Sequence, residues 1–301
     1  MQRTDYAGWT NCIRLANAEI ELIATADVGP RVIRFGFIGG PNEFWECKPH
    51  LGQTGGDTWR IFGGHRLWHA PEHMPRSYMA DNEPVRVEAL PSGGVRLAPQ
   101  VEPDTKIAKE LELHLDPKAN RVTATHRLRN EGLWPIELAP WALSVMAAGG
   151  TCVIPFPPRG PHPEHLLPAS TLTLWKYTDL ADPRYTFGTS SLLLRQDAAR
   201  PKPQKIGAWN PEGWIAYANH GHAFVKRFPH VEGAPYPDRG ANCEAFANGQ
   251  MLEVETLGPL TKLAPGEAAV HVETWSLHRG VEAPRNDAEV AARILPLLAQ
   301  S

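Results

Sequence analysis

Apolar and polar residues alternate along this chain with a period of two, and the recurrence of that pattern is what most restricts its fold. In residues 18–25, AEIELIAT, the side chains of Ile20, Leu22 and Ala24 fall on one face. In residues 110–115, ELELHL, Leu111, Leu113 and Leu115 alternate with Glu110, Glu112 and His114. Successive side chains of a strand point to opposite faces, so each pattern describes a strand with one dry face and one wet face. Residues 85–97 read as a hairpin, VRVEAL and VRL joined by Pro-Ser-Gly-Gly, and RVTATHRL at 121–128 follows the turn DPKAN. Further strands are expected in TLTLWKY from 171, SLLLRQ from 191, WIAYANH from 214, HAFVKRF from 222, MLEVETL from 251 and AVHVETWSL from 269.

Proline works against the alternative. It supplies 29 of 301 residues, about twice its usual ~5% share, and each one removes a donor and clashes inside a helix. One helix is expected, over residues 286–300. Asn286 would cap it, with Glu289 three residues on as in a capping box. Val290, Ile294 and Leu297 form its stripe, and Pro296 would kink or stop it. The proline string at 153–168 reads as an extended loop, because strand patterns continue on both sides. Strand spacing shows no propeller-like repeat. The expectation is an all-β chain, a large antiparallel β-sandwich with a short C-terminal helix, forming a single domain over residues 1–301.

Net charge is −3 with no basic run, so nucleic acid is not an expected partner. No apolar stretch approaches the ~18–20 residues that span a bilayer, and the start MQRTDYAGWTNCIRL lacks the apolar core of a signal peptide. Cys12, Cys47, Cys152 and Cys243 show no CxxC spacing, as in a reduced, cytoplasmic protein. A small molecule remains as the expected partner. Ten tryptophans outnumber nine phenylalanines and six tyrosines, and indole faces suit the C–H faces of sugar rings.

Two segments gather the polar and aromatic residues. In DTWRIFGGHRLWHAPEHMPR, residues 57–76, His65 and His69 are four apart and share a face on a helix or a strand. Gly63-Gly64 before them and Pro71 after them suggest a loop or a single turn. Hydrogen-bonded surface histidines are one reading. A metal site from His65, His69 and Glu72 is a second, with His₂Glu ligand types but without the HExxH order. General acid–base work on a substrate stacked against Trp68 is the third and the expected one, with no metal and no cofactor. In the second segment, residues 236–260, Glu253 and Glu255 share one strand face while Leu252 and Val254 share the other. Adjacent same-face carboxylates repel, so they lie in water or serve a site. Glu244 is a third carboxylate nearby. Arg60, Arg66, Arg76 and Arg239 fall in these segments and would clamp an acidic sugar.

Read together, these residues resemble the galactose mutarotase-like (aldose 1-epimerase) superfamily. Leu252-Glu253-Val254-Glu255, then Gly258-Pro259 and Leu263-Ala264-Pro265-Gly266-Glu267, is similar to that family's late strand Leu-Glu-x-Gln, proline loop and Leu-x-Pro-Gly-Glu turn. VHVETWSL stands as the last strand. Leu128-Arg129-Asn130 ahead of IELAPWALSV resembles its hydrophobic-Arg-Asn motif, and Gly63-Gly64-His65 stands where its first active-site histidine stands. The resemblance spans most of the chain. It implies a supersandwich with a sugar cleft on one sheet. It also implies that a glutamate takes the anomeric proton, a histidine protonates the ring oxygen, and the ring opens and recloses. Carried over, Glu253 is the base and His65 or His69 the acid or a sugar-binding donor.

The family's second histidine, in an Asn-His-aromatic motif, is replaced by Pro140-Trp141-Ala142. An indole N–H is a hydrogen-bond donor only, so Trp141 is expected to pack on the sugar, in a branch distinct from true galactose mutarotases. Two other functions fit the same residues. One is a glycoside hydrolase or lyase pairing Glu253 with Glu244 or Glu255. The other is a non-catalytic sugar-binding protein that keeps Trp68, Trp141 and the arginines.

Overall fold

The computed structural model describes residues 1–299. Among them, eleven strands form one antiparallel sheet and ten form a second. The alternating patterns become strands where expected: Ile20–Thr25, Arg86–Ala89 paired with Val95–Ala98, Ile107–Leu115, Arg121–Asn130, Ser191–Arg195, Trp214–Asn219, His222–Arg227, Leu252–Leu257 and Ala268–Arg279. TLTLWKY yields only the edge strand Leu172–Leu174. The two sheets stack on their dry faces. Ile20, Leu22, Phe35, Phe44, Leu111, Leu113 and Trp275 meet in one core between them, and full burial of each aliphatic or aromatic side chain contributes roughly 1.5–3 kcal/mol. No helix is long and apolar enough to cross a membrane. All four cysteines are buried and free.

The C-terminal helix forms on its predicted cap. The Asn286 side chain accepts from Glu289 N at 3.0 Å, and the Glu289 carboxylate returns to Arg285 N. The helix runs Asp287–Arg293, and a separate turn, Leu295–Leu298, carries Pro296 near its start. Val290 and Ile294 pack on Trp214 and Val225 of the ten-stranded sheet. The expected end at residue 300 lies outside the described residues.

Two sequence expectations are corrected. Residues 153–155 of the proline string belong to the strand Thr151–Pro155, and only the remainder is loop. More consequentially, the segment expected as a loop or single turn around the two histidines contains a six-residue strand, His65–Ala70. It lies between Arg31–Phe37 and Ile136–Met146, near the middle of the eleven-stranded sheet. Both of its faces are buried, so its apolar and polar residues do not sort into dry and wet positions. Gly63 and Gly64 deliver the chain into this strand. Their φ values are +104° and +71°, and a Cβ would meet Trp45 O at 2.1 Å and Val32 O at 2.2 Å respectively.

Candidate functional site

The strand Ile136–Met146 pairs with His65–Ala70 on one side and with Leu252–Leu257 on the other. Cys243–Ala247 and Gln204–Ala208 continue the sheet. This register sets two faces. Opposite partners share a face, so Trp68 stands with Trp141, Arg66 with Leu143 and Glu255, and Glu253 with Phe246, which stands with Lys205. The outward face carries a cleft of about 410 Å³. Its floor holds Arg66, Glu253 and Lys205, and its walls include Trp59, Trp68, Tyr78, Trp141 and Tyr177.

The Glu253 carboxylate accepts from Arg66 Nη2 at 3.0 Å, and the Arg66 guanidinium lies over Trp68 at 4.6 Å. Trp68 meets Trp59, Tyr78 and Trp141 edge-on or tilted at 4.9–5.5 Å. Such aromatic pairs add ~0.5–1.5 kcal/mol beyond area burial. Lys205 Nζ sits between Trp141 and Trp175, 4.6 and 4.8 Å from their rings. It is ion-paired to Glu244 at 2.7 Å and to Glu255 at 3.0 Å. Burial alone would push the lysine down, but the two carboxylates outweigh it and hold Lys205 well up, as an ammonium. Burial drives Glu244 well above the usual carboxylate range against the pull of Lys205. Burial raises Glu255 as well. Yet Glu255 receives hydrogen bonds from both Trp141 Nε1, at 2.8 Å, and Lys205, so the charge that balances Lys205 rests on Glu255.

The expected residues divide. Glu253, Trp68, Trp141 and the exposed Glu72, whose carboxylate accepts from Tyr78 Oη, line the cleft. Glu244 and Glu255 are fully buried beside Lys205. Arg60 donates to Gly55 O, Arg76 donates to Pro71 O, and Arg239 is exposed near the edge strand. These three arginines are absent from the cleft lining, so the expected four-arginine clamp is not assembled.

The histidines are the main correction. His65 and His69 share a face as predicted, but it is the inner one. A strand alternates sides at each residue, so Arg66 and Trp68 reach the cleft while His65 and His69 point between the sheets. Among the described residues the cleft lining contains no histidine. The His₂Glu set of the metal reading is likewise split, with Glu72 on the cleft side.

Beneath the cleft His65 enters a closed polar network whose proton positions follow from its partners. His126 Nδ1 must donate to His271 O, 3.0 Å away, so its Nε2 accepts from His65 Nε2 at 2.7 Å. His65 Nδ1 then accepts from Ser144 Oγ at 2.9 Å. The Thr256 hydroxyl donates to Glu273 and accepts from His271 Nε2, and Lys226 and Trp275 Nε1 also donate to Glu273. His65, His126 and Glu273 are close enough to hold an ion together. Every one of those contacting atoms, however, is already engaged within the network or stands beside it. Burial pushes all three histidines down, His271 to about 3.

Lys205, Trp59, Tyr78, Tyr177 and Phe246 were not legible as site residues. Lys205 had one signal, a lysine alternating with Gln204 and Ile206 in QKIGA, but that strand was not expected.

The architecture is therefore a two-sheet antiparallel sandwich with an aromatic-walled, glutamate-floored cleft on the longer sheet. Its fold is that of galactose mutarotase-like structures. A galactose mutarotase-like protein from Lactobacillus casei matches with a TM-score of 0.55 at 10% identity, covering 89% of this chain and 100% of its own. A galactose mutarotase related enzyme from Lactobacillus acidophilus matches at 0.57 and 9% identity, over 91% and 99%. The Slr1438 protein from Synechocystis matches at 0.58 and 11% identity, over 92% and 99%. No protein-family model and no curated protein matches the sequence.

Proposed function

We propose that this protein binds a small neutral sugar in the aromatic cleft and interconverts its anomers. The observation that carries the reading is Glu253, a carboxylate on the cleft floor held by Arg66 and ringed by Trp59, Trp68 and Trp141. Glu253 takes the proton of the anomeric hydroxyl as the bond between the anomeric carbon and the ring oxygen breaks. The Lys205 ammonium, the other cation of the cleft floor, faces the departing ring oxygen. It stabilises the developing charge and supplies the proton, in the place of the family's histidine. Rotation of the open-chain aldehyde and reclosure return both protons, so no net proton is consumed. Trp141 and Trp68 offer faces for the sugar ring.

A neutral sugar is favoured because Arg66 is matched by Glu253 and Lys205 by Glu255, which leaves no unpaired cation on the floor. Hydrolysis by Glu253 with Glu244 or Glu255 is disfavoured, since the second carboxylate of either pair is fully buried and not presented to a glycosidic bond. Saturation-transfer NMR of anomer exchange over neutral and acidic sugars tests the proposal. Glu253→Gln should retain binding and lose about 10²–10⁴-fold in exchange rate. A near-normal rate removes Glu253 from the chemistry, and saturable binding with no exchange by the unaltered protein leaves a binding function only.

A further inference from the structure

A second cavity, of about 330 Å³, opens on the other side of the strand that walls the sugar cleft. It lies between the end of that strand, residues 75–79, residues 104–107 and residues 136–138, and shares no lining residue with the cleft. Its walls are mainly apolar: Met79, Ile107, Ile136 and Leu138, with Thr105 among them. Arg76, Asp104 and Glu137 bring charge to it.

One wall is His69. The residue is fully buried, and its Nδ1 has no hydrogen-bond partner. Its Nε2 stands 3.5 Å from Glu102 Oε2, while Glu102 is engaged by Lys109 and Thr105. An unpaired buried polar group costs about 1–3 kcal/mol, and a leucine here would avoid that cost, as Leu67 does two residues earlier on the same face. The contrast with His65 is direct, since both nitrogens of His65 are satisfied. Burial, opposed by Glu102, pushes His69 down, so the ring is neutral at ordinary pH. A neutral imidazole carries one donor and one acceptor. The nearby carboxylate favours the proton on Nε2 and leaves Nδ1 as the acceptor.

We propose that this cavity is a second ligand site, for a small uncharged molecule with an apolar body and one hydroxyl that donates to His69. Anions are disfavoured, because Asp104 and Glu137 outnumber Arg76 and Glu102 is matched by Lys109. The site is tied to the sugar cleft through one segment. Glu72 and Tyr78 line the cleft, and Pro75, Arg76 and Met79 line the second cavity. A ligand that orders residues 72–79 from one side therefore steadies the cleft wall from the other.

The probe is p-cresol, with toluene lacking the hydroxyl and p-toluate carrying a charge. Methyl NMR is read at Ile107, Ile136 and Leu138. p-Cresol should shift these signals saturably, toluene should bind about tenfold more weakly, and p-toluate should not bind. His69→Leu should make p-cresol and toluene equal. Ile136→Trp, at a half-buried position, should close the cavity and abolish both even if His69→Leu does not fold. The proposal is overturned if p-cresol gives no saturable shift at millimolar concentration, if its shifts centre on the methyls of Leu143 and Met251 in the other cleft, or if Ile136→Trp binds it unchanged. Equal affinity of the unaltered protein for p-cresol and toluene overturns the role of His69.

Discussion

Two buried lysines stand on opposite sides of one sheet and meet opposite electrostatic fates. Lys226, between the sheets, has one carboxylate partner, Glu273, and burial pushes it down in spite of that partner. Lys205, under the cleft, has two carboxylate partners and is held up. The clusters around them differ in the same way. The inner one, with His65, His126, His271, Thr256 and Trp275, closes on itself with its hydrogen bonds met. The outer one leaves Glu244 Oε1 and Glu255 Oε1 unmatched, together with Arg66 Nε and Nη1. A closed polar network rigidifies and specifies a core, whereas a partly satisfied one keeps donors and acceptors unspent. The closed polar cluster around Lys226 is therefore separated from the partly satisfied one around Lys205 by the thickness of one sheet.

The largest expected test of that division is pH. His65, His126 and His271 lie around Lys226 and Glu273, with Arg66 and Arg31 across the sheet from His65, and burial pushes all three below 6.5 in the folded state. The unfolded chain binds those protons near pH 6.5 and the folded chain does not. The contribution is thus complete above 6.5 and is lost as pH falls. Each histidine contributes a slope of at most ~1.4 kcal/mol per pH unit below that point. Although burial pushes Glu273 up, Lys226 and the two nearest histidines hold it at about 2, so its contribution is lost below the usual carboxylate range. The raised Glu244 has the opposite sign. The folded chain keeps a proton that the unfolded chain releases, which costs stability as pH rises above 4.5. Urea denaturation at pH 7, 6 and 5 reads the balance, and a flat profile over that range would break the account of the inner cluster.

Next in size is Lys226→Met, which leaves Glu273 buried without its cation and should cost about 3–5 kcal/mol. Far-UV melts with urea titration measure it, and a loss under about 1 kcal/mol would mean that the inner cluster is not held by charge. Trp141→Phe keeps much of the packing and removes the N–H that Glu255 accepts, an expected loss of about 1–3 kcal/mol. Because Trp141 is only 2% exposed and yet lines the cleft, the same variant should also weaken sugar binding. Stability loss with intact affinity would make Trp141 a core residue alone. The smallest effect belongs to Arg239→Ala. That side chain is exposed and outside the cleft lining, so stability should stay within ~0.5 kcal/mol and sugar affinity should be unchanged. Weakened binding of acidic sugars alone would restore the arginine clamp.

Period-two alternation determined much of the fold from the sequence alone, because a strand with one dry face writes its register into its own residues. The alternation puts Leu111 and Leu113 on a dry face and Leu252 and Val254 on the face opposite the two glutamates, and all four lie in the core. The same logic put Glu253 and Glu255 on one face, and the C-terminal cap was readable because capping is a contact over three residues. His65–Ala70 was not readable, since a strand buried on both faces loses the alternation that marks dry from wet. Nor could local pattern decide which buried face opens to solvent. The sequence states that His65 and His69 point one way and Arg66 and Trp68 the other. Only the stacking of the second sheet against the histidine side made that face interior and the arginine side the cleft. The pairing of Lys205 with Glu244 and Glu255 likewise exists only after residues about forty to fifty positions apart are brought side by side, a long-range contact that no local spacing encodes.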